Sequence, residues 1–536
     1  MVPTGPARTP RRTTAELQRQ GAKAPTAFLG ERAVIGSKPP TSGGKLSVKE
    51  KIGYGFGDAA ANFVFQTMLV FQLGFYTDVF GISAVAAGTL LLVGRFWDAM
   101  FDPVMGVIAD RTNTRWGKFR PWVLWSAIPF AFFFYLAFTT PDFGSTGKLI
   151  YAFVTYILLM TVYSVNNLPY SALNGVITGD INERTSLSSY RFFFAISAAF
   201  MIQGLMLPLV DKLGGGDAAK GWSRAIGIFA ALSVVFFVIT FLSVRERIHP
   251  DPDQKSSPRL EFAGLLKNTP WKSMFALTLF LFITLALWGS AMFYFFTYYM
   301  DKEQLFSFLQ SWGLVTATDG AQVATSGWHG FLNAFGLVVK EDRSNVTSVA
   351  FGLFNMSGQL VTIFGVLASK WLAIRFGKRL VFLVGLSFTT LFTLLFFMVP
   401  SDAVELAFAL NLLKSLAYGP TIPLLWAMMG DVADFAEWTT RRRATGVVFA
   451  GIVFALKAGL GIGGAVCGWL LAAYGYVPNA VQSEHALLGI RLTASVFPAV
   501  TFLIAVFALT FYGISKQLNI QIQDELAERR KSFTPH

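Results

Sequence analysis

The chain has 536 residues, is 54% hydrophobic and only 14% charged, and its apolar residues run in long blocks rather than in stripes of period 2 or 3.6, which excludes an ordinary soluble fold. The net charge of +13 sits in short loops between those blocks, which argues against nucleic-acid binding. A single cysteine, Cys467, excludes a disulfide framework, and the four histidines lack metal-ligand spacing.

Residues 1 to about 48 are basic and rich in Pro, Thr and Gly. They have no long apolar core, so they read as a disordered cytoplasmic tail and not as a signal peptide. Twelve apolar spans follow, at about 53–77, 83–108, 121–140, 149–175, 190–210, 222–244, 273–299, 347–373, 379–399, 404–429, 446–473 and 489–512. A helix needs about 20 residues to cross a bilayer, and it satisfies its own backbone hydrogen bonds there. The expected fold class is therefore an all-α membrane protein of about twelve transmembrane helices.

Positive charge collects in alternate loops, at Arg111, Arg115, Lys118 and Arg120, at 245–272, at Arg375, Lys378 and Arg379, and at Arg441, Arg442 and Arg443. The loops near Asp78, Asp142 and Asp402 are poorer in it. This positive-inside pattern puts both termini in the cytoplasm of a multi-pass protein in the inner membrane. The polar stretch 245–272, with Pro250, Pro252 and Pro258, joins two six-helix halves, 49–244 and 273–515, ahead of a cytoplasmic tail 516–536. A weak repeat supports the halves: Trp116-Gly117-Lys118-Phe119-Arg120 follows the second span and Arg375-Phe376-Gly377-Lys378-Arg379 the eighth. Duplicated halves with a midplane site between them are a common transporter plan. The 300–346 loop reads either as an outer cap of short helices or as an inert insertion.

Charges inside apolar spans are costly and mark candidate sites. Asp98 and Asp102 lie four apart, on one helix face, where they suit a shared proton or a monovalent cation, or else an ion-pair network with Arg95. Lys457 stands mid-span among apolar and small residues, and that acidic pair is its natural partner. Asp58 and Asn62 are also four apart. Asn166 and Asn167 offer amides suited to hydroxyl groups, or to helix–helix hydrogen bonding. Arg191 opens a span, either as a snorkelling charge or as a bidentate clamp. Asp431, Asp434 and Glu437 precede the 441–443 arginines as a charge network at the inner end.

Gly106-Val107-Ile108-Ala109-Asp110-Arg111, running on to Lys118, resembles the loop motif of the major facilitator superfamily. Further segments are similar to the glycoside–pentoside–hexuronide:cation symporters, the family of melibiose permease. They are Tyr54 to Asp58 with Asn62, Tyr76 to Val79, Trp97-Asp98 with Asp102-Pro103, Arg115 to Trp122, Glu183-Arg184-Thr185 with Arg191, Asp431 with Asp434, and Gly475 to Asn479. The matches run from about residue 50 to 515.

The resemblance implies the major facilitator fold and cation-coupled sugar uptake by alternating access. It implies a cation site at Asp98, Asp102 and Ser164, with Lys457 linked to it. Asn62, Tyr163, Asn167, Arg191, Trp426 and Lys457 would face the sugar cavity or link it to the cation. Three departures stand out. Asn62 and Asn167 occupy positions where melibiose permease has sugar-binding aspartates, so a different sugar is expected. Phe101 replaces a sodium-binding asparagine and supplies no oxygen, which favours the proton over sodium. Ser171 replaces a tryptophan.

The expected protein is therefore a symporter of a glycoside, pentoside or hexuronide, coupled to a proton or, failing that, sodium. It is expected to be a monomer in the lipid bilayer with no cofactor, no bound metal unless sodium sits at Asp98 and Asp102, and no enzymatic role. Asp110, Arg111, Lys118, Asp431 and Asp434 would hold the inner side shut. The rival expectation is a facilitator of a lipid-like or drug-like amphiphile.

Overall fold

The computed structural model describes residues 45–178, 180–247, 267–318, 321–322, 327–441 and 445–532. The expected N-terminal tail, most of the linker, Arg442 and Arg443 thus lie outside the described residues.

Six helices form the first half: α1 (Val48–Val70), α2 (Ala84–Arg111), α3 (Arg120–Ala137), α4 (Ser145–Ile177), α5 (Ile181–Gly214) and α6 (Ala218–Ser243). Six form the second: α7 (Thr269–Tyr294), α8 (Val346–Phe376), α9 (Lys378–Leu395), α10 in two pieces (Val404–Tyr418 and Thr421–Thr440), α11 (Thr445–Ala473) and α12 in two pieces (Glu484–Ala494 and Val496–Thr510). Several starts are capped by short polar side chains that accept an orphan amide N–H. Ser47 accepts from Glu50, Ser83 from Ala86, Asp217 from Lys220 and Asn268 from Trp271.

Among the described residues, nine helices are long and apolar enough to cross a membrane. A tenth span is α1 with its continuation Gln72–Phe80, bent by 59°. The remaining two are α3, only 18 residues long and opening on Arg120, and α10, broken at Gly419-Pro420 because proline has no N–H to donate.

Some helices outrun the apolar blocks. α5 begins at Ile181 and α10 runs on to Thr440, since intrahelical hydrogen bonds continue where the chain meets water. The final stretch is also helical: α13 (Lys516–Ser532) buries Ile522 and Leu526 and accepts a bond from Trp438 Nε1 at Glu525. The 300–346 loop holds two short helices, Lys302–Ser311 and Gly327–Ala334, and a two-residue antiparallel pair, Ala317–Thr318 with Ala321–Gln322. It leans on the first half. Lys340 Nζ donates to Asp211 O at 3.3 Å, and Lys212 Nζ donates to the carbonyls of Asn333 and Ala334.

The short repeat in the sequence is a repeat in the backbone. Gly117 and Gly377 both have positive φ, +109° and +85°, and each turns the chain into the next helix. At Gly117 the Glu246 carboxylate fills the space a Cβ would need, and it accepts the N–H groups of Lys118, Phe119 and Arg120 at 2.7–2.9 Å. An anion there complements the positive end of α3.

The two halves meet along α2 with α11 and along α5 with α8. Small residues bring backbones together at such seams. A Cβ on Gly352 (α8) would lie 2.3 Å from the Gly204 carbonyl oxygen (α5). Gly352→Val is expected to force the seam apart and destabilise the protein by about 1–3 kcal/mol, the usual cost of overpacking. Unfolding in detergent measures this, and an unchanged midpoint would mean that the seam tolerates separation.

Candidate functional site

Between the halves lies a cavity of about 330 Å³. α1 contributes Asn62 and Gln66, α5 Gln203, α7 Trp288, α8 Asn355 and Gln359, and α10 Asn411, Lys414 and Ser415. Side-chain amides form a chain along it, first within the first half and then across to the second. Gln203 Nε2 donates to Gln66 Oε1 at 2.8 Å, and Gln359 Nε2 donates to Gln203 Oε1 at 3.2 Å. Phe65, Phe192, Phe282 and Trp288 add apolar faces. A ring of amides with flat apolar walls matches a polyhydroxylated ring, which needs donors, acceptors and stacking surface together.

Beside the cavity stands an ion cluster at the α2–α11 seam. Lys457 Nζ lies 3.0 Å from Asp98 Oδ2 and 2.5 Å from Asp102 Oδ2. Ser164 on α4 donates a hydrogen bond to Asp98 Oδ1. Asp98 is fully buried, whereas the Asp102 side chain is 18% exposed. The partnership expected from sequence is thus formed across the seam. Arg95 is buried nearby with its guanidinium over Phe65, a cavity wall.

The other candidates separate. Asn62 lines the cavity and donates to Asp58 O at 2.9 Å. Arg191 pairs with Asp58 at 3.1 Å and lies over the Tyr170 ring, so it clamps α1 to α5. Tyr163 is buried and stacked on Phe130, and Asn167 is half-buried outside the cavity lining. Asn166 takes the helix–helix alternative in this structure. It does not line the cavity but is fully buried, and it donates to Ser126 on α3 at 2.8 Å, because its helix face packs on α3. Trp426 is 38% exposed and also lies off the cavity lining.

At the basic-loop end, Asp110 and Arg111 are exposed, Lys118 and Asp434 are half-buried, and Asp431 accepts from Lys378 at 2.7 and 2.8 Å and from Asn519 at 3.2 Å. The pairs Lys51–Glu183, Arg247–Glu50 and Lys378–Asp431 each stay within one half.

The opposite end differs. Asp78, at the end of the α1 continuation, accepts from Tyr298 at 2.7 Å and from Tyr476, and Asn479 Nδ2 donates to Asp78 O at 2.7 Å. Thr77 meets the Tyr294 hydroxyl at 2.9 Å. These bonds tie the first half to the second and close that end. Burial first, and the Asp78 carboxylate second, push the Tyr476 hydroxyl above its ordinary range, so it stays protonated and donating.

Sequence reading missed Gln66, Gln203, Asn355, Gln359, Asn411 and Lys414. The signal was present: Asn62 and Gln66, and Asn355 and Gln359, are four apart in apolar spans, as Asp98 and Asp102 are.

The family model described as MFS/sugar transport protein matches residues 53–341 and 342–516. The chain belongs to that family. It is 38% identical to an Escherichia coli protein provisionally named glycoside/cation symporter YagG, over 91% of this chain and 96% of the relative. It is 34% identical to the inner membrane symporter YicJ of the same organism, over 91% and 96% of the two chains. It is 33% identical to the isoprimeverose transporter of Lactiplantibacillus pentosus, over 87% and 89%. Among solved structures, the nucleoside transporter NupG superposes with a TM-score of 0.53 at 14% identity, over 88% of this chain and all of that one, which speaks to the fold alone. The resemblance to glycoside–pentoside–hexuronide:cation symporters is borne out, and so are the major facilitator fold of twelve helices in two halves and the place of this protein among multi-pass inner-membrane transporters rather than enzymes.

Proposed function

We propose that this MFS sugar transporter is a proton-coupled symporter that binds its sugar in the amide-lined cavity. The observation that carries the reading is the Lys457 ammonium held between two carboxylates, at the seam that must move when the halves rock. Protonating Asp102, the more exposed carboxylate, would loosen half of that contact and link proton binding to the seam. The cation and the sugar would then each favour the state that binds the other, a coupling reciprocal in free energy.

The proton is favoured over sodium for two reasons. The ammonium occupies the space between the carboxylates, and Phe101 stacks on Trp97 with no oxygen to offer a hard cation. Asn62 would touch the sugar directly, with Tyr163, Asn167, Arg191 and Trp426 acting around it. By the positive-inside rule the basic end and both termini would be cytoplasmic, and closure at Asp78 would then correspond to an inward-facing state; the transporter would work as a monomer. Asp110, Arg111, Lys118, Asp431 and Asp434 would engage when the inner side shuts. The amide ring also disfavours an amphiphile carrier, which has no use for so many fixed donors and acceptors.

Uptake of labelled sugars into proteoliposomes tests the reading. A proton gradient is expected to drive accumulation of one sugar, and a sodium gradient is not. Sodium-driven accumulation would overturn the ion, and passage of an amphiphile with no sugar accumulated would overturn the substrate class.

A further inference from the structure

Lys414 lies ten residues into the first piece of α10, inside the membrane span, and lines the cavity. Its Nζ is 2.8 Å from the centroid of the Trp288 ring. Among the described residues no carboxylate lies within 4 Å of it, unlike Lys457 or Arg191. The Trp288 Nε1–H is buried and has no hydrogen-bond acceptor. Two groups that can only donate therefore sit together in one wall of the cavity.

The mid-bundle charges sharpen the point. Asp58 is paired with Arg191, and Asp98 and Asp102 are both held by Lys457, with Arg95 buried over Phe65. Lys414 is left over. An unpaired lysine in a low-dielectric site is costly to keep charged, and ionisable groups in membrane spans mark substrate paths. The cation–π contact with Trp288 offsets part of that cost and holds the ammonium in place.

We infer that Lys414 recognises an anionic group, and that the transported solute is an acidic sugar bearing a carboxylate. The carboxylate would accept from Lys414 and the Trp288 N–H while its ring hydroxyls meet Gln66, Gln203, Gln359 and Asn411. Binding then brings the missing negative charge into the cavity. This inference rests on the sugar reading above and narrows it.

The test is binding to the purified full-length protein in detergent, by titration calorimetry. A panel of uronic acids and methyl uronides is compared with the matching neutral hexoses and methyl hexosides. A uronide is expected to bind at least ~10-fold more tightly than its neutral counterpart, the scale of a hydrogen bond between charged groups. Lys414→Gln is expected to erase that difference and Lys414→Arg to keep most of it. The melting temperature of Lys414→Gln is expected to hold or rise, since an uncompensated charge is removed, whereas a purely structural lysine would lower it. If a neutral glycoside binds as tightly and Lys414→Gln changes nothing, the acidic-sugar inference falls and the sugar transporter reading stands. If neither class binds, both fall.

Discussion

Lys457→Ala should abolish gradient-driven accumulation and destabilise the protein by about 3–5 kcal/mol, because it leaves Asp98 and Asp102 buried and uncompensated across the α2–α11 seam. The double variant Lys457→Ala, Asp102→Asn restores the charge balance. It should recover most of the lost stability in detergent yet remain unable to accumulate solute against a gradient. Neighbours in one ion network behave non-additively, and the cycle of single and double variants reads that coupling directly. Recovery of accumulation in the double variant would remove Asp102 from the coupling step. A double variant no more stable than the single one would show that the buried charges are not what the lysine balances.

Asp78→Asn should weaken the seal at the end of the bundle opposite the basic loops. The carboxylate accepts from Tyr298 and Tyr476 of the other half, and hydrogen bonds to a charged group contribute about 1.5–3 kcal/mol each. An amide still accepts, so a net loss of about 3 kcal/mol is expected. That is roughly a 100-fold shift toward the state open at that end. A cysteine in place of Val70, which is buried and lines the cavity, reports the opening by its rate of labelling with a membrane-impermeant thiol reagent from the Asp78 side, once the buried Cys467 is replaced by serine. Labelling no faster in Asp78→Asn would place the seal elsewhere, such as the contacts of the 300–346 loop with Asp211 and Lys212.

The seal and the cluster are complementary. One couples the halves at the end that is closed here, through groups that donate to a single carboxylate. The other couples them mid-membrane, through an ammonium shared by two carboxylates. A proton reaching Asp102 would change the second without touching the first. Accumulation is therefore expected to respond to Asp102 and Lys457, and the resting orientation of the cavity to Asp78.

Much of this was legible in one dimension. Long apolar blocks determine spanning helices because the bilayer leaves a backbone no other partner, and basic loops determine their orientation. The Lys457 partnership with Asp98 and Asp102 was legible too, since an acidic pair in one span and a lone lysine in another offset each other's cost of burial. Pairing across helices was not. Asn166 and Asn167 are adjacent and chemically identical, yet Asn166 is spent on Ser126 of α3, and only packing decides which face a helix turns to its neighbour. Lys414 and the three cavity glutamines were visible as letters, but their convergence on one cavity depends on four helices from both halves. Asp78 looked like an ordinary loop charge until the fold brought Tyr298 and Tyr476 to it from residues more than 200 positions away. Local chemistry and hydropathy act over a few residues and are written in the chain itself. The cavity, the seal and the uncompensated charge arise from contacts between distant helices, and those exist only once the two halves have packed.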